Sequence, residues 1–460
     1  MNSYLLSAFV DAWESYHDDR RWGLPRGHLW RKVIVMFLFF FSVVLFVQID
    51  AVKERVVEMS GADIQDVSVV VSPYRICPLG AHIDHQGGIV TAMTINMGLL
   101  LGFVPSRDAQ VSVKSAQFHG EVKFSVDEVQ CPNKVREEPD WARYPRGALY
   151  ALQNKGHHLT KGFIGFICGS EEHSSGLSSS AAVGIAYLLA LESVNGNTIS
   201  PEDNIELDRL IENGYLLLQN GILDQSAILL SKYGHLTWID CKTRKHDIVY
   251  FSNLQNGQCQ RSHGQATYKI LLAFSGLKEP LIRNSGYNTR VSECKEAAEI
   301  LLDAAGNGYM EPLLCNVDPV FFEAHKDLLK PNQAKRALHY FSENKRVKQG
   351  LEAWASGDLE DFGRLVSASG RSSIKNYECG CQEMIDLYEI LLKAPGVFGA
   401  RFSGAGFRGC CLALVDADRA EEAAAFVKQE YKKVQPAFAS KISPARLVLI
   451  CEPGDAAHVI

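Results

Sequence analysis

Residues 174–182 read Ser-Ser-Gly-Leu-Ser-Ser-Ser-Ala-Ala, and this run constrains the fold more than any other in the 460-residue chain. The apolar stretch Gly162–Cys168 before it reads as a strand, and the strongly apolar Ser180–Val194 after it reads as a helix. A strand that turns through small residues into a buried helix calls for a mixed strand-and-helix architecture. The same turn leaves backbone N–H groups free at the helix start, where they and the helix dipole favour an anion. The hydroxyls of Ser178, Ser179 and Ser180 offer further ligands for phosphate or for Mg2+. On composition alone, a Ser-rich helix cap fits equally well. No Gly-x-x-x-x-Gly-Lys-[Ser/Thr] loop occurs, so this is not a Walker A site.

Patterning along the rest of the chain predicts an α+β protein. Strands are expected at Val67–Val71, Gly234–Asp240, Lys269–Phe274 and Leu447–Cys451, with a hairpin over Val111–Val126. Helices are expected at Ala51–Met59, Arg146–Gln153, Ile205–Leu218, Arg290–Ala305, Lys335–Ser356, Leu359–Ala368, Glu383–Lys393 and Ala417–Tyr431. Ser72–Gly88 is turn-rich, and the polar stretch Phe251–Gln265 marks a boundary between domains at 50–260 and 266–460. Asp361-Phe362-Gly363 looks like a protein-kinase metal motif. Without the other kinase segments it reads as a tripeptide on a helix surface.

Net charge is −6, with no long basic stretch in the enzyme-like part, which argues against nucleic acid as a partner. The 12 cysteines include no Cys-x-x-Cys pair, so reduced thiols are expected rather than a zinc site. Val33–Ile49 is almost wholly apolar and follows Arg20, Arg21, Arg26, Arg31 and Lys32. It reads as a membrane anchor, a targeting segment or a mis-assigned start. An anchor with that flanking charge would put the enzyme on the lumenal side, away from ATP. The expectation is therefore a cytoplasmic catalytic part from residue 50, with residues 1–48 foreign to it and a membrane partner only if the segment is genuine.

Three further segments carry chemistry. Ser72–His85 places Arg75, His82 and Asp84 within ten residues, types suited to gripping a polyhydroxylated ligand. Gly221-Ile222-Leu223-Asp224-Gln225 contains a lone Asp that would otherwise cap a helix. Gly404-Ala405-Gly406-Phe407-Arg408-Gly409 alone is a Gly-rich turn.

Taken in order, the four segments resemble the motifs of the GHMP small-molecule kinases, and the resemblance is nearest to the galactokinase branch. Tyr287-Asn288-x-Arg290 also resembles a galactokinase segment near the sugar. The resemblance implies a two-lobed α+β fold. Its N-terminal lobe is ribosomal-protein-S5-like, its C-terminal lobe is α+β, and the site lies in the cleft between them. It implies ATP and a free sugar as substrates, with Mg2+ as cofactor. It further implies Asp224 and Arg75 as catalytic residues, and His82, Asp84, Gly221 and Tyr287 as sugar contacts. Gly176, Leu177, Ser178, Ser179, Ser180, Ala181, Gly404 and Gly406 would surround ATP, and Ser180 and Glu212 would hold the metal.

Two departures bear on the substrate. Galactokinases carry Glu where this chain has Ala81, and Gly where it has Arg408. A Glu beside a substrate carboxylate would repel it by about 4 kcal/mol at 4 Å and an effective dielectric near 20. Ala81 removes that repulsion, and Arg408 or another cation could pair with the acid. The expected substrate is a galactose-type sugar acid, galacturonic acid, phosphorylated at its anomeric hydroxyl. Ala81 argues against galactose itself but leaves arabinose and glucuronate open.

Overall fold

The computed structural model describes residues 48–132, 137–169, 176–255, 258–261, 267–277 and 285–460. Ser174, Ser175 and nearly all of the apolar 33–49 segment lie outside these. Of the unit Met1–Ala51, residues 48–51 are described and are helical; the unit Val52–Ile460 holds everything that follows. Among the described residues, no helix is long and apolar enough to cross a membrane.

Two larger sheets are present, and β8 (Ser252–Gln255) pairs with β9 (Gln258–Arg261) as a separate two-stranded ribbon. The first has the strand order β14-β1-β2-β5-β3-β4. These are His458–Val459, Ser68–Ile76, Ile89–Pro105, Phe163–Gly169, Gln110–Ser115 and Glu121–Ser125. The strand β2 is long enough to serve two neighbourhoods. Leu99–Pro105 pairs with β5, while Ile89–Ala92 pairs with β6 (Leu236–Asp240), which in turn pairs with β7 (Lys245–Val249). The second sheet runs β11-β12-β10-β13, made of Val397–Phe402, Cys410–Asp416, Tyr268–Phe274 and Val448–Cys451. Both central strands of this sheet, β10 and β12, are buried along nearly their whole length, as their continuous apolar runs require.

The helix Ser179–Asn195 is apolar on every side and is buried against β1 and β2. Its last turn ends at Gly196, in the left-handed conformation. Most of the expected elements form close to their expected places, but four readings need correction. β1 continues through Ile76, so Arg75 stands on a strand rather than in a turn. The helix expected over Ile205–Leu218 is instead an α-helix, Pro201–Arg209, followed by a π-helical turn, Leu210–Tyr215. Asp224 does not cap a helix; it lies in the first turn of Leu223–Leu230. Asp361-Phe362-Gly363 is helical, but Phe362 and Gly363 face inward, the glycine against the backbone of Phe398.

Candidate active site

Strand β1 delivers Arg75 into the interior, where it is 4% exposed. Its Nε donates to Asp224 Oδ1 at 2.7 Å, and its Nη1 donates to the Gly176 carbonyl at 3.1 Å. Its backbone N–H also donates to the Leu177 carbonyl at 3.3 Å. Residues separated by about 150 positions thus meet at one guanidinium. Burial pulls the Arg75 pKa down, but Asp224 outweighs it and holds it raised, so the cation is permanent.

Gly176 lies where two segments approach most closely. It adopts φ +90°, and a Cβ there would stand 2.8 Å from the Ser403 carbonyl oxygen. Ser403 Oγ donates to the Gly176 carbonyl at 2.6 Å, and Gly404 lies against the Gly176 backbone. The 404–409 loop is therefore held directly over the 176–180 turn. Ser178, in the left-handed region, opens the Ser179–Asn195 helix.

Ser180 Oγ donates to Glu212 Oε1 at 2.7 Å, and Asn220 Nδ2 donates to Glu212 Oε2 at 2.9 Å. Glu212 sits on the π-helical turn, a feature that often marks functional sites. Burial, reinforced by the charge of Asp224, pushes its carboxyl up to about 7. A hydroxyl and a carboxylate oxygen side by side, desolvated and awaiting positive charge, suit a hard cation such as Mg2+. Among the described residues no cluster of three or more His, Cys, Asp or Glu side chains could hold a metal.

A second group of side chains stands around Asp84. A Cβ at Gly221 would fall 2.2 Å from Asp84 Oδ2, so the glycine makes room for this carboxylate. Burial and the nearby Asp224 raise the Asp84 pKa to about 6. His82, with φ 67°, stacks on Tyr377 at 4.4 Å, and its Nε2 lies 3.6 Å from Cys379 Sγ. His85 Nε2 is 3.1 Å from Tyr377 Oη, and its ring meets Tyr287 edge-on at 6.3 Å. Burial holds His85 down to about 4 and His82 well below its ordinary value, so both rings stay neutral. Tyr287 is raised by burial and then by Asp84, Asp224 and Glu212, which places its hydroxyl in the field of all three carboxylates. Ala81 is buried at the same end.

Of the residues singled out from the sequence, Arg75, Asp84, Glu212 and Tyr287 thus lie within the field of Asp224. Arg408 lies on the 404–409 loop, whose Gly404 stands against the Gly176 backbone. Sequence reasoning missed His85, Asn220, Tyr377 and Cys379. It also missed Asp208, fully buried four residues before Glu212, with neither carboxylate oxygen hydrogen-bonded in the structure. Two of the five had a signal: Asn220 adjoins Gly221, and His85 ends the Ser72–His85 segment.

Residues 143–232 match the GHMP kinases N-terminal domain, and residues 349–433 match the GHMP kinases C-terminal domain. This chain belongs to the GHMP kinase family. It is 61% identical to a galacturonokinase of Arabidopsis thaliana over 426 residues, covering 90% of this chain and 98% of that one. A galactokinase of Clostridium perfringens is 31% identical over 368 residues, 79% of this chain and 90% of its own. Among solved structures, Lactococcus lactis galactokinase complexed with galactose superposes with a TM-score of 0.76 at 29% identity. That match covers 88% of this chain and 98% of the other.

Proposed function

We propose that the chain phosphorylates D-galacturonic acid at its anomeric hydroxyl, using ATP. The observation that carries this reading is the part-buried Arg75–Asp224 pair, whose guanidinium also meets the Gly176 carbonyl ahead of the Ser178–Ser180 helix start and whose charges act on Asp84. The Arabidopsis galacturonokinase relative supports the choice of acid, as does Ala81 in place of a Glu.

In this reading the sugar's O1–H points at Asp224, which orients and takes the proton as O1 forms its bond to the γ-phosphorus. The bond from that phosphorus to the β–γ bridging oxygen breaks, and ADP leaves with the electron pair. Arg75 fixes the Asp224 carboxylate and faces the charge spread over the transferring group. Asp84, His82, Gly221 and Tyr287 take the sugar hydroxyls, and Ala81 leaves space for the C6 carboxylate. The backbone from Gly176 to Ala181 takes the phosphates, with Gly404 and Gly406 closing above. Ser180 and Glu212 would hold Mg2+, which when bound neutralises phosphate charge. Arg408, on the loop held over the Gly176 turn, is assigned to pair with the sugar acid or with a nucleotide phosphate. The lobes are assigned to 50–260 and 266–460. ATP as substrate, and free thiols at the described cysteines, fit a cytoplasmic setting. A panel of free sugars with ATP and Mg2+ tests the reading. Galacturonate is expected to be turned over far faster than galactose, arabinose or glucuronate, and a preference for galactose would refute it.

A further inference from the structure

The loop that carries Ala81, His82 and Asp84 is held by one face of the long helix Pro331–Ser356. His339 Nε2 lies 3.1 Å from the Ala81 carbonyl oxygen. One turn on, Glu343 Oε1 accepts from the Gly80 N–H at 2.8 Å. Beside it, Asn344 Oδ1 accepts from the Ile89 N–H at 2.9 Å, where the chain enters β2. The loop's backbone is thus gripped on both sides of Ala81's Cβ, by side chains four residues apart on a rigid element.

The protonation of His339 follows from its partners. A carbonyl only accepts, so Nε2 carries the proton and Nδ1 of the neutral ring is an acceptor. Ser372 Oγ stands 2.9 Å from Nδ1 and itself accepts from Asn376 Nδ2 at 3.1 Å, which leaves its own proton to donate to His339. His339 is 1% exposed, and burial holds it down to about 4, so the ring stays neutral near pH 7. Glu343 is equally fixed. It is fully buried, paired with Arg346 Nε at 2.7 Å and Arg401 Nη1 at 3.6 Å, and it accepts from the Ser369 hydroxyl.

We propose that His339 and Glu343 are positioning residues for sugar selection, which set where Ala81 stands against the sugar's C6 group. This rests on the sugar-acid reading above. A side chain as small as alanine selects by the space it leaves, and that space is defined only if its backbone is held to within about 0.5 Å.

The test uses the full chain carrying His339→Leu, His339→Gln or Ser372→Ala, with KM measured separately for galacturonate and for ATP and a melting curve for each protein. His339→Leu is expected to raise the sugar KM about three- to tenfold, the range for one lost neutral hydrogen bond, with the ATP KM within roughly twofold. His339→Gln, whose amide can still reach the Ala81 carbonyl, restores most of the loss. Ser372→Ala shifts the sugar KM in the same direction by less, and it decides the matter if the Leu variant does not fold. An equal rise in both KM values, or an unchanged sugar KM in a folded variant, would overturn the proposal. The wild-type chain is assayed on galacturonate and galactose alongside. If it prefers galactose, the substrate reading fails and the clamp is judged on the galactose KM instead.

Discussion

Replacing Arg75 with Met removes one partner of a buried ion pair while nearly preserving volume. Losing one member of such a pair costs about 3–5 kcal/mol. The Asp224 side chain is 22% exposed, so water recovers part of this and the lower end applies. That is a loss of fold stability; separately, removing one group that faces charge developing in the transition state costs about 3 kcal/mol, roughly two orders of magnitude in kcat/KM. A second signature is a shift in pH dependence. Burial and Asp224 hold Asp84 up to about 6 and Glu212 up to about 7, and in both cases Arg75 pulls the other way. Without it both carboxyls keep their protons to higher pH, yet their proposed roles need them ionised. The acid limb of kcat/KM against pH, which reports the free enzyme, is therefore expected to move to higher pH. A coupled assay of ADP release, run on galacturonate from pH 5 to 9, reads both effects. A loss smaller than tenfold with an unmoved acid limb would refute the electrostatic role given to Arg75.

Two other substitutions test separate parts of the site. Ala81→Glu restores a charge beside the sugar acid. At about 4 kcal/mol of repulsion, galacturonate kcat/KM should fall by roughly three orders of magnitude, with galactose turnover rising, as competition between the two sugars would show. Asp208→Asn removes a carboxyl whose pKa is raised well above normal by burial, then by Glu212 and Asp224. Such a group stabilises the fold below its unfolded pKa and loses that stability as pH rises toward its folded value. The Asn variant should therefore gain more in melting temperature over the wild type at pH 8 than at pH 4, and an equal difference at both would count against a neutral Asp208.

The turn proposed to face the phosphates was legible as a strand-turn-helix unit because its pattern is local. The small residues from Gly176 to Ala181 stand between a strand and an apolar helix, and Gly404–Gly409 is Gly-rich; each alone also fits a cap or a turn, and only their order along the chain pointed further. The wall opposite was not legible. His339 and Glu343 lie on a helix whose inward face reads as ordinary core, and Tyr377 and Cys379 sit in a short connection with no pattern of its own. Only the long-range fold brings them to His82 and Ala81. The π-helical turn at Leu210–Tyr215 defeated a periodicity reading for a related reason. One extra residue per turn breaks the 3.6 repeat while leaving the apolar composition intact. Strand β14 is too short for alternation to reveal; its pairing with Val70 and Val71 exists only once β1 is in place.

One oxygen atom, the Gly176 carbonyl, receives both the Arg75 guanidinium and the Ser403 hydroxyl. Under the proposed function, the nucleotide side and the sugar side are thereby tied through a single acceptor. A mutational drift that widens the turn for a bulkier nucleotide also slackens the group steadying the sugar-side acid. Under that reading, changes of nucleotide preference and changes of turnover are expected to travel together.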